Sequence, residues 1–142
     1  MGVWTASIAK LQAQLPDLLS LSGAEARILL ALRHAVICHK LGRNPRPGLE
    51  EKLGSGLAVT RFLIVIETVG SAWPENFHIG RTCCPCTTPD EILLLQMIRL
   101  GGAGNRPAFD RLIMEMIGDS ERNRIFIDIS NFAASYGPQA TD

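Results

Sequence analysis

Apolar residues recur along the chain at three- and four-residue spacing, broken by short stretches rich in glycine, proline or small polar residues. That period is the signature of helices packed on one face. Ile8, Leu11 and Leu15 share a face over residues 5–15, and Pro16 ends or kinks that segment. Ser20 or Ser22 can cap the next helix, with Glu25 three residues after Ser22 as in a capping box. That helix is predicted to run to about Leu41, where Gly42 stops it. Ile28, Leu29, Leu32, Ala35, Val36 and Ile37 nearly surround this helix, which makes it central and mostly buried. Asn44 to Gly48 reads as a rigid proline loop, and Leu49 to Leu53 as a helical turn before Gly54 and Gly56.

The stretch Leu57 to Val69 is ambiguous by period alone. Phe62-Leu63-Ile64-Val65-Ile66 suits a buried strand or a buried helix, and its length with no hairpin partner favours helix. Thr88-Pro89-Asp90-Glu91 is the sharpest local signal. Thr88 caps, Pro89 occupies the first helical position, and Glu91 reaches back to the cap. The helix it opens carries Leu93, Leu94, Leu95, Met97, Ile98 and Leu100 to Gly101-Gly102. Asn105 starts another, with Phe109, Leu112, Ile113 and Met116 as its buried face and Gly118 as its end. Asp119 or Ser120 opens the last, through Ile125, Phe126, Ile129, Phe132 and Ala133 to Gly137, with residues 138–142 as a disordered tail. The pattern predicts an all-α bundle of five or six helices forming one domain over residues 1–142. An α+β arrangement is the alternative, with Ile125 to Ile129 as a strand.

Composition narrows the picture. At 142 residues the chain can bury a core without disulfides. Its apolar share is 46%, yet no unbroken run nears the ~18 residues of a membrane span. A chain this apolar either buries its helices deeply or covers one face with a partner. Residues 57–69 and 92–100 are the expected contact with a second copy, so a homodimer is the partner reading. The start lacks the basic-then-apolar layout of a secretory signal, which favours a cytoplasmic, bacterial-type protein with reduced thiols. Net charge is zero, giving no general pull toward nucleic acid or membrane. Residues 1–61 hold 8 Lys and Arg against 4 Asp and Glu, a mild polarity suited to intramolecular or intersubunit complementarity.

The candidate chemistry lies between Phe77 and Glu91, where Cys83, Cys84 and Cys86 fall within four positions. Closely spaced thiolates share a soft metal or exchange oxidation state. Cys86 stands nearest the helix that starts at Pro89, whose amides and dipole would favour its thiolate. A structural zinc needs about four ligands. Adjacent Cys83 and Cys84 do not readily face one ion, so His78 locally, and Cys38 or His34 from the central helix, are the candidates to complete a shell. The metal set is therefore Cys83, Cys84, Cys86, His78 and Cys38, with His39 on a neighbouring face. The plainer reading is that these are buried thiols and internally bonded histidines. An iron–sulfur cluster would consume all four cysteines, and haem would rest on the Cys84-Pro85 dipeptide alone; both rank behind zinc. No Gly-x-Ser-x-Gly, phosphate-cradling loop or His-Glu-x-x-His is present. Gly101-Gly102-Ala103-Gly104 joins two helices as a turn.

The cysteines ahead of Thr-Pro-x-Glu, Cys83 to Glu91, together with the arginine-bearing helix from Arg27 to His34, resemble an uncharacterised family of small helical alphaproteobacterial proteins. The resemblance covers the central two-thirds of the chain. It implies a small helical bacterial protein and carries no activity or site residues.

These observations predict a non-enzymatic regulatory or binding module whose thiol cluster holds zinc or senses metal or oxidants. The alternatives are a thiol-dependent enzyme with Cys83 or Cys86 as nucleophile, and a homodimeric interaction protein with inert cysteines.

Overall fold

The computed structural model describes residues 15–140. The segment from residue 5 to residue 14, and with it most of the first expected helix, lies outside the described residues. Among the described residues a short 3-10 turn at Leu18–Ser20 precedes six α-helices: α1 Gly23–Leu41, α2 Arg46–Leu53, α3 Gly56–Ala72, α4 Pro89–Gly102, α5 Arg106–Ile113 and α6 Asp119–Ala140. The protein is an all-α bundle, and there is no strand among the described residues. Residues 62–66 and 125–129, the two segments that could pass for strands, lie within α3 and α6.

The helix ends follow local chemistry. Ser22 accepts the Glu25 N–H, Ser55 the Ala58 N–H and Asn105 the Ala108 N–H, each satisfying an amide that a first turn leaves orphaned. Thr88 and Glu91 form the complete reciprocal capping box. Gly42 closes α1 at φ 67°, a left-handed position that glycine adopts without a Cβ clash. Two boundaries differ from the sequence reading. The proline loop is partly helical, since Pro47 fits the first turn of α2, where no intrahelical amide is needed. At the other end α6 does not stop at Gly137 but continues past Pro138 to Ala140.

One apolar core runs through the bundle, with Leu29, Leu32, Leu49, Leu53, Phe62, Val65, Leu94, Met97, Phe109, Ile113, Ile125, Ile129 and Phe132 all buried. α6 packs along both α3 and α4. Phe62 meets Phe132 with ring centroids 5.2 Å apart, and Phe132 stacks on Tyr136. The Tyr136 hydroxyl donates to the Ala24 carbonyl at 3.1 Å, fixing the start of α1. α4 approaches α6 through Gly101, where a Cβ would strike the Ile129 side chain. No single helix among the described residues is long and apolar enough to cross a membrane. Leu57 and Ile64 of α3 remain exposed, whereas Ile92, Leu93 and Leu100 of α4 are half-buried against the core.

Candidate functional site: a cysteine loop clamped by a buried arginine

The segment from Trp73 to Thr88 joins α3 to α4 without regular structure, and it is organised by Arg33 of α1. Arg33 is 1% exposed, although its neighbours on the helix surface are Leu29, Leu32, Val36 and Ile37. A buried guanidinium is tolerated only when its charge and its five N–H groups are all matched. Here they are. Nε donates to Glu91 Oε2 at 2.8 Å, and Nη2 to Glu91 Oε1 at 2.9 Å. The remaining three hydrogens go to loop carbonyls: Nη1 to Arg81 at 3.0 Å and Cys84 at 2.7 Å, Nη2 to Cys86 at 2.7 Å.

Glu91 is equally enclosed, with its side chain 0% exposed. Oε1 also accepts the Thr88 N–H at 2.9 Å, and Oε2 the Gly80 N–H at 3.0 Å. Its carboxyl lies below the usual carboxylate range. Burial pushes it up, but the hydrogen bonds from Arg33, Thr88 and Gly80 and the guanidinium charge more than offset that. The same hydrogen bond and charge hold Arg33 above its ordinary value against its own burial. Gly80 is required where it stands, since a Cβ there would lie 2.5 Å from Arg33 Nη2.

The rest of the loop is tied from two sides. Thr88 Oγ1 donates to the His78 carbonyl at 2.7 Å, and the His78 N–H donates to Asp90 at 2.8 Å. From the N-terminal side the Leu18 N–H donates to the Pro85 carbonyl at 2.7 Å, and buried Thr87 donates to the Pro16 carbonyl at 2.6 Å.

Because the backbone faces Arg33, the thiols are carried near the surface. Cys83 and Cys86 are exposed and Cys84 is half-buried. Cys84 Sγ accepts the Cys86 N–H at 3.4 Å. A hydrogen bond with Cys84, and the charge that Cys84 gains on ionising, push the Cys86 thiol up from its ordinary value. This reverses the expectation that the α4 N-terminus depresses Cys86. Two groups within the box claim the amides instead: the Thr88 side chain takes the Glu91 N–H, and the Glu91 carboxylate takes the Thr88 N–H.

The five candidate metal ligands are therefore placed in three groups. Cys84 and Cys86 interact, with Cys83 adjacent in the chain. Cys38 is buried in α1 with its sulfur 3.5 Å from His34 Nε2. His78 is exposed, and its ring nitrogen lies 4.0 Å from Asp90. Among the described residues no set of three or more His, Cys, Asp or Glu side chains is placed to hold a metal ion.

Arg33 and the deep burial of Glu91 are what sequence reasoning missed. The available signal was a lone arginine on a face otherwise made of Leu29, Leu32, Val36 and Ile37, which calls for a buried acidic partner. Comparison with protein-family models, with curated proteins and with solved structures gives no match.

Proposed function

We propose that this chain is a non-catalytic, cytoplasmic binding or sensing module, with the Cys84–Cys86 pair as its working group and Cys83 beside it. The observation that carries the reading is that Arg33 fixes the carbonyls of both cysteines while leaving their sulfurs near the surface. Two neighbouring thiols on a mounted loop suit a soft metal ion, zinc included, which both would bind as thiolates. The pair supplies two of the four ligands of a closed zinc site. Cys83, His78 or a second copy of the chain would supply the rest.

A catalytic reading draws less support. The Cys86 thiol is pushed up from its ordinary value by Cys84 rather than lowered, and the near neighbour of His78 is Asp90 rather than a cysteine. The exposed Leu57 and Ile64 favour contact with a second chain, consistent with a homodimer that completes the ligand set.

Titration of the reduced protein with cadmium and zinc, following thiolate-to-metal absorption, tests this reading. Saturable uptake that C84S and C86S each abolish, and that C38S leaves intact, is the expected result. Uptake that is absent, or indifferent to C84S and C86S, would sink it.

A further inference from the structure

A second feature lies on the α1 surface beside the clamp. Three adjoining hollows of about 270, 340 and 500 Å³ meet at Val36, which lines all of them. The smallest is walled by Leu32, Ile66, Val69, Phe77, Ile79 and Leu94, with no charged or polar side chain. The other two carry cations. Lys40 lines both, with Arg81 in one and Arg43 in the other, where His39 and the single carboxylate Glu67 also line the wall. Among the described residues the side chains of Lys40, Arg43 and Arg81 enter no ion pair. Leu32, Val36 and Lys40 are four apart, so they lie in one row along α1. That row runs ~12 Å from the apolar end to the cationic end.

Gly70 adds an independent indication. It lies within α3, where glycine weakens a helix relative to alanine. Nothing in the fold demands it, since a Cβ there would meet no atom within 4 Å. What the missing side chain does is leave the apolar hollow open, because Gly70 is part of its wall.

We propose that this groove binds a single-chain amphiphile with an anionic head. The alkyl chain lies in the hollow between Leu32 and Gly70, and the head sits at Lys40, flanked by Arg81 and Arg43. Volumes of this order, apolar walls and a few polar groups at one end are the usual make-up of a small-molecule site. The unpaired cations at one end only select an anion over a neutral or cationic head. The site is separate from the thiol pair, though Cys83 lies on its rim.

Calorimetric titration of the full chain with decanoate, decylamine and decanol, each below its micelle concentration, tests the proposal. Decanoate should bind one to one and slow alkylation of Cys83, while decylamine should not bind. G70L, which fills the hollow, should keep its melting temperature and lose saturable binding. K40Q, a change at an exposed position, should bring decanoate affinity down to that of decanol. The proposal is overturned by absent saturable uptake, by decylamine binding as well as decanoate, or by folded G70L binding unchanged. A dimer that G70L converts to monomer would also overturn it, since a second copy would then fill the groove.

Discussion

Arg33 and Glu91 stand 58 residues apart in the chain and meet through two parallel hydrogen bonds of 2.8 and 2.9 Å, both side chains fully enclosed. The pair joins α1 to the start of α4, and the loop between α3 and α4 wraps around it. Each partner then serves two ends: Glu91 completes the Thr88 cap, and Arg33 satisfies the carbonyls that position the cysteines. Isolating either charge in the core is therefore far more damaging than the loss of one contact.

Removing one partner should cost about 3–5 kcal/mol, the usual penalty for stranding a buried charge. R33M and E91L should each show this in urea unfolding. The double variant R33M/E91L should recover only part of it. In a simple buried ion pair, apolar replacement of both partners can be neutral, but here the carbonyls of Arg81, Cys84 and Cys86 would still lack donors. Full recovery to wild-type stability would show that the loop carbonyls find water at no cost.

Gly80→Ala should destabilise by about 1–3 kcal/mol, as overpacking does when the neighbour cannot yield. Arg33 cannot yield, because all five of its hydrogens are committed. Limited proteolysis should cut G80A first between Trp73 and Thr88. Gly23→Ala is the contrasting control, since a Cβ there meets nothing within 4 Å.

How far this was legible in the sequence depended on whether a signal was local. The caps at Ser22, Thr88 and Asn105 each need residues only three apart, and all three form, although the reciprocal box is complete only at Thr88 and Ser22 accepts the Glu25 N–H alone. The helical nature of 62–66 followed from length, because burial on most sides gives helix and strand the same apolar run. The clamp was not legible. Its partners are 58 positions apart, and Glu91 already had a complete local explanation as the third residue of a capping box. The cysteines drew attention as ligands, but the structure uses their carbonyls, which every residue type carries and no sequence motif marks. The helix-start argument for Cys86 took the amides at the start of α4 to be free, whereas the Thr88 side chain takes the Glu91 N–H and the Glu91 carboxylate takes the Thr88 N–H.

Acid should act through Glu91. Its folded carboxyl lies below the unfolded value, so its contribution is complete above the unfolded pKa of ~4.3 and is lost as pH falls through the lower folded value. Asp110 shifts in the same direction. Burial pushes it up, but hydrogen bonds from Arg106 and Arg122 hold it lower. Urea unfolding from pH 6 down should show stability falling below about pH 4, with E91Q less stable at neutral pH but flatter across that limb. An E91Q profile parallel to wild type would assign the acid limb to other groups.

Thiol reactivity offers the last prediction. Cys38 is buried beside His34 and should be the slowest of the four to react with iodoacetamide. Cys86 is exposed, yet its thiol is pushed up from its ordinary value, first by the hydrogen bond with Cys84 and then by the Cys84 charge. Only the thiolate is nucleophilic. Cys84→Ala removes both effects, so the Cys86 thiol should fall toward its ordinary value and alkylate faster at neutral pH. The substitution leaves the Cys84 carbonyl on Arg33, because that bond is made by the backbone, so melting temperature should change little. Mass-spectrometric mapping after partial labelling, repeated from pH 7 to 10, separates the two cases. In the wild type the Cys86 rate should rise later along that range than in C84A. Superimposable Cys86 profiles in the two proteins would mean that the thiols titrate independently, and the pair would then lose its standing as a single working group.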